Sequence, residues 1–265
     1  MIKNLIALLV SIIVIHLIYV GYIRPEANSL IEIALANGQA SPRTLVVILK
    51  DYEQEICFIL MLWGVFLIAS SYRDILKTQY LFSVDFIKII QDATANNQAS
   101  QDETAAVSDT HFDVDEIIEQ LDNQVPDDYQ TSPLIQTLRS SLWRYAATRN
   151  VQNLSDAIET NLEALAIRQD SENTMIRYLI WAIPSIGFIG TVRGIGEALS
   201  QADQALAGNI AGMTDSLGVA FNSTLIALLI SIFLMFLFHQ LQRLQDSQIL
   251  NTQAYCEKYL INRIR

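Results

Sequence analysis

Four blocks of apolar residues interrupt an otherwise polar chain. Residues 5–22 are apolar apart from Ser11 and His16, residues 56–69 form a shorter run, and residues 178–195 and 217–238 complete the set. A helix needs about 20 such residues to cross a bilayer. The shorter run meets that length because Ser41-Pro42 reads as an N-cap and first-turn pair, which predicts a helix starting there and meeting the membrane near Glu55. No stretch alternates with the two-residue period of a strand, so the pattern predicts an all-α membrane protein with four transmembrane helices. Outside the blocks, Leu154, Ile158, Leu162 and Leu165 recur at helical spacing, as do Leu241, Leu244 and Ile249 in the tail. These stripes predict a helical cytoplasmic stalk, its first part running into the third span.

The basic residues set the orientation. Eight Lys or Arg lie in residues 71–177 and four after residue 238, whereas residues 195–216 hold none. By the positive-inside rule the first two regions are cytoplasmic. An even number of spans then puts both termini on that side. The expected division is a first span at 1–23, a periplasmic loop and the start of the second helix at 24–55, and the second span at 56–72. A cytoplasmic domain at 73–177, a third span at 178–198, a periplasmic connector at 199–215, a fourth span at 216–239 and a cytoplasmic helical tail at 240–265 follow. The alternative for residues 1–27 is a cleaved signal peptide.

Composition agrees with this layout, since 51% of the 265 residues are hydrophobic and only 17% charged. The net charge of -11 does not by itself call for a basic partner. Much of it comes from residues 91–133, which hold eleven Asp or Glu and no Lys or Arg. Such a segment repels itself and buries little, which predicts a solvated linker with a short helix at 114–121; an acidic docking site is the alternative.

Ordinary catalytic chemistry finds no constellation. Cys57 and Cys256 fall in a span and in the tail, so neither a disulfide nor a CxxC metal site is expected. His16, His111 and His239 have no ligand spacing. The glycines at 187, 190, 194 and 196 follow an apolar helix instead of a strand, which excludes a dinucleotide loop. No enzyme activity, cofactor or metal is expected. His16 lies within the first apolar run with no acidic companion in any span, and an intramembrane ionisable group is a candidate for ion transfer. Trp63 and Trp181 are read as packing or interface anchors.

The last two spans carry the most specific pattern. Gly187, Thr191, Gly194 and Ala198 share one helix face, and Ala220, Thr224, Ala227 and Ser231 share another. A face of small and hydroxylated residues in lipid either admits another helix closely or lines a polar path. The sequence GFIGTVRGIGEAL that begins at Gly187 resembles the GLLGTVWGI signature of the MotA/TolQ/ExbB family of ion-channel subunits. VAFNSTLIALLISI, from Val219, resembles that family's next segment, and both blocks stand in the family's order and separation. At motif level the resemblance covers roughly the last third of the chain.

The resemblance implies an inner-membrane subunit of a proton-driven motor, with sodium as the alternative ion. Several copies, typically five, would surround a dimer of a MotB/TolR/ExbD-like single-span partner whose Asp carries the ion. It places Thr191 and Thr224 along the ion path with Ser223 and Asn222 as companions. Pro184 matches the Pro before the GxxGT word and would let the helix flex. Gly187, Gly190, Gly194, Ala220 and Ala227 are the close-packing positions. Arg193 departs from the family's apolar residue, and Glu197 one turn later is its expected partner, either guarding the entrance or anchoring the helix at the interface. Two further departures are Val219, where the family often has Glu, and Ile232, where it often has Pro. The competing function is a non-conducting membrane scaffold or a signalling protein.

Overall fold

The computed structural model describes residues 2–37, 42–86, 88, 114–208 and 210–264, and these form helices and turns with no strand among them. In chain order the helices are α1 (Ile2–Ile18), α2 (Arg24–Ala36), α3 (Leu45–Ile48), α4 (Tyr52–Thr78), α5 (Val114–Gln124), α6 (Asp127–Gln130), α7 (Pro133–Thr148), α8 (Val151–Ser200), α9 (Ala202–Leu206), α10 (Ala211–Cys256) and α11 (Asn262–Ile264). Single π turns occupy Tyr19–Ile23 and Glu257–Ile261, and a 3-10 turn occupies Gln79–Ser83. Four stretches are long and apolar enough to cross a membrane: Ile2–Ala34, Tyr52–Ser83, Val151–Ser200 and Ala211–Ile261. The protein is an all-α, multi-pass membrane protein.

The helices divide into two compact units, one of Met1–Ser71 with Asn173–Leu241 and one of Tyr72–Glu172 with Gln242–Arg265. The first unit holds the apolar blocks. Its first span is not a uniform helix, because the π turn inserts between α1 and α2 at the buried Tyr19, directly before Arg24. The second span departs from the sequence expectation. Instead of a helix beginning at Ser41-Pro42, there is the one-turn α3, then a break, and α4 starts at Tyr52; Ser41 itself lies outside the described residues. The break brings Lys50 and Asp51 to the head of α4, where they take part in the site below. Gly64 of α4 marks a three-helix contact, since a Cβ there would meet Leu234 of α10 at 3.3 Å and Leu179 of α8 at 3.5 Å. Large apolar side chains line the outside, among them Leu5 and Leu17 of α1, Phe188 and Val192 of α8, and Phe221 and Ile232 of α10. In a bilayer such surfaces face lipid or further helices.

The second unit has an ordinary hydrophobic core. In α5, Val114, Ile117, Ile118 and Leu121 fall at i, i+3, i+4 and i+7 on one face, and all four are buried. The short helix expected at 114–121 is present as α5; what the structure corrects is the solvated character of this part of 91–133, which contributes core residues, while residues 89–113, including His111, lie outside the described residues. The N-cap of α7 is Ser132, whose hydroxyl accepts from the Ile135 amide at 3.4 Å, with Pro133 following it. Leu134, Ile135, Leu138 and Leu142 of α7 pack with Leu154, Ile158 and Leu162 of α8, and with Tyr255, Cys256 and Leu260. Fully burying one such aliphatic side chain stabilises by about 1.5–3 kcal/mol. The Tyr255 hydroxyl accepts from the Phe86 amide at 3.1 Å and donates to the Val84 carbonyl at 2.9 Å. Both cysteines are free and buried.

Candidate ion-path site

Close approach of α8 and α10 begins with glycine. A Cβ added at Gly187 would lie 2.5 Å from that of Ala227, one at Gly190 would lie 2.5 Å from that of Ser223, and one at Gly194 would lie 2.8 Å from that of Ala220. Only residues without a side chain allow the two backbones this separation. The small-residue faces, which the sequence left in need of a partner helix, therefore have each other within one chain.

This contact sets the geometry of the threonines. Thr191 Oγ1 donates to the Ala220 carbonyl at 3.0 Å across the interface, and Thr224 Oγ1 donates to the Gly187 carbonyl at 3.1 Å in the opposite sense. Their hydroxyl oxygens also meet each other. Each hydroxyl has one proton and can accept as well as donate, so either can turn from its carbonyl to donate to the other. Ser223 is buried behind them, donating to the Val219 carbonyl at 2.9 Å and accepting from Gln54 of α4 at 3.5 Å. Asn222 is not in this contact; it lines a separate cleft of about 180 Å³ beside α3.

Pro184 sits inside the continuous 50-residue α8 and has no amide to offer the carbonyl of Ile180. The Ser231 hydroxyl of α10 donates to that carbonyl at 3.0 Å. Helix-breaking residues are tolerated in lipid where a neighbouring hydroxyl supplies the missing bond.

The charged groups gather at the head of α4. Arg193 holds Glu53 through Nε at 2.7 Å and Nη2 at 2.9 Å, and reaches Glu197 through Nη1 at 3.0 Å. The expected Arg193–Glu197 pair thus forms, but the two-point grip on the buried Glu53 is the stronger geometry. Glu55 contacts both His16, at 2.7 Å from Nδ1, and Arg24. His16 consequently does have an acidic companion, contrary to the sequence reading. Arg24 stacks over the Tyr52 ring at 4.2 Å. Sequence reasoning missed Glu53, Gln54 and Glu55 because three polar residues opening an apolar run look like an interface. The available signal was their density, five polar or aromatic residues in DYEQE at a helix start.

Comparison with known proteins bears on the same helices. Residues 129–254, containing α7, α8, the connector and nearly all of α10, match the model of the MotA/TolQ/ExbB proton channel family. This stretch is a MotA/TolQ/ExbB family domain. The match begins well before Tyr178, so it takes in the helical region ahead of the third span as well as the two motif blocks. No curated protein and no solved structure matches the chain. A MotA/TolQ/ExbB domain supports a channel- or stator-type membrane subunit in general, and the family it names is not a class of enzymes. The first two spans, with Glu53, Glu55, His16 and Arg24, lie outside the matched residues.

Proposed function

We propose that the chain is the ring-forming subunit of an inner-membrane motor driven by protons. Several copies, five by the family resemblance, surround a single-span partner, itself a dimer with a membrane-embedded Asp, and ion flow past that Asp produces mechanical work. The carrying observation is the Thr191–Thr224 pair, two mutually touching hydroxyls at the contact of the family domain's two spans. Hydroxyls relay a proton but do not store one, which is why the reading includes a carboxylate-bearing partner. The placement of the basic residues supports cytoplasmic termini, and the exposed apolar faces of α8 and α10 offer surfaces for neighbouring copies and for the partner's helix. H+ is the proposed ion, Na+ the alternative, and no cofactor takes part.

The test is Thr191→Val with Thr224→Val, which keeps side-chain shape and removes the hydroxyls. Proton flux is read with a pH-sensitive dye in everted membrane vesicles of the source cells, against a strain lacking the gene. At least about a tenfold loss is expected with oligomer size by native mass spectrometry unchanged. Ser185→Ala, which removes an exposed hydroxyl bonded among the described residues to the Trp181 carbonyl of its own helix, should leave flux intact. Full flux in the double variant would leave the threonines as packing groups, as in a non-conducting scaffold.

A further inference from the structure

A cleft of about 180 Å³ opens where the segment around α3 meets the first turns of α10, lined by Arg43, Ile48, Lys50, Asp51, Asp215 and Asn222 among others. It has room for several waters. Lys50 turns to Asp215 at 3.8 Å. Glu53 and Glu55 at the same head of α4 are each gripped by an arginine. Asp51 differs: its Oδ2 is buried and has no hydrogen-bond partner among the described residues. A buried carboxyl oxygen left this way is accounted for when a water or a proton occupies it.

We propose that Asp51 takes up the transported proton from water in this cleft and delivers it toward the threonine pair. The proposal rests on the conducting function above. The titratable and charged groups around Asp51 are Lys50 and Glu53 on its own segment, Arg193 from α8, Asp215 from α10 and the Tyr19 phenol from the π turn of the first span. Burial raises its carboxyl above the usual 3.8, with Glu53 and Asp215 adding to the rise and Lys50 and Arg193 opposing it. Behind the cleft wall lies the fully buried Gln54. Its amide nitrogen donates to the Ile48 carbonyl at 3.0 Å and to Ser223 Oγ at 3.5 Å, and its Oε1 has no partner among the described residues. Ser223 is the neighbour of Thr224 along α10, and Thr224 touches Thr191. Gln54 thus joins the cleft wall at Ile48 to Ser223 at the contact of α8 and α10, and on this proposal its Oε1 orients the water that carries the proton inward.

The chemistry balances without a further reactant. Asp51 carboxylate accepts a proton from hydronium, leaving water. It then returns that proton to a water on the inner side, and each threonine accepts one proton as it passes its own on. The last acceptor is the partner's carboxylate. Asp51 ends as it began.

The test is a pH-step infrared difference spectrum of the full chain in lipid nanodiscs. A protonated-carboxyl band should grow above the usual Asp range, disappear in Asp51→Asn and persist in Asp215→Asn. A band unchanged in Asp51→Asn overturns the proposal. In the everted vesicles, Asp51→Asn should lower flux at least about tenfold and flatten its pH profile. If Asp51→Asn keeps the wild-type flux and pH profile while the threonine double variant is inactive, the inlet role falls and the channel stands. If the wild type itself carries no flux, the channel reading falls and the inlet with it.

Discussion

Ser231 and the carbonyl of Ile180, 3.0 Å apart on neighbouring spans, form a bond that exists because of a third residue. Pro184 removes the amide that would have served that carbonyl inside α8, and α10 repairs the omission from outside. The kink-prone turn is therefore fastened to its neighbour.

The repair predicts strong coupling. Ser231→Ala alone should destabilise by about 1–2 kcal/mol, since it strands a buried carbonyl. Made together with Pro184→Ala, which restores the helical amide, the same change should be nearly neutral. Thermal unfolding of the four proteins in one detergent gives the coupling, and additivity would dissolve the relationship.

The glycine contacts predict opposite signs for one substitution. Gly190→Ala places a methyl within 2.6 Å of both Ser223 Cβ and Oγ, so the helices must part. A loss of about 1–3 kcal/mol is expected. Gly196→Ala on the same helix meets nothing within 4 Å and should stabilise by up to about 1 kcal/mol. Melting temperatures that move together would contradict the interface.

Arg193→Leu strips the buried Glu53 of its cation. Destabilisation of about 1–3 kcal/mol is expected, and Glu53→Gln added to it should recover most of the loss, because the stranded charge goes with it. Glu197→Gln, on the exposed side, should cost about 0.5 kcal/mol or less. Chemical denaturation of the single and double variants checks the ranking.

Asp51 makes stability depend on pH. Its folded carboxyl binds a proton more readily than the unfolded chain does, so its contribution is complete below the usual 3.8 and is lost as pH rises through the higher folded value. Asp51→Asn should flatten that part of the stability profile and raise the melting temperature at neutral pH. A profile of unchanged slope would show that Asp51 titrates normally.

The spans, the small faces and the threonine words were legible because each is a local pattern: apolar length for the spans, steps of three and four for the faces, and two short motifs in order. The helix start at Tyr52 was not, since it depends on a break after α3 that no Pro or Gly near residues 49–51 announces. Glu53 escaped for a related reason. Its cation lies 140 residues away, and a helix reading pairs Arg193 with Glu197 four positions along. The Ser231 repair was readable only in halves, a proline on one helix and a serine on another, with nothing local to join them.

Those 140 residues also order the protein's birth. When Glu55 emerges, His16 and Arg24 have already been made, so the first two spans can enter the bilayer as a hairpin with that charge answered. Glu53 has no such senior partner. At roughly 5–20 residues per second, about 7 to 28 s pass before Arg193 leaves the ribosome. Through that interval one carboxylate at the head of α4 stays with water, and the hairpin cannot seat fully until the third span arrives to claim it.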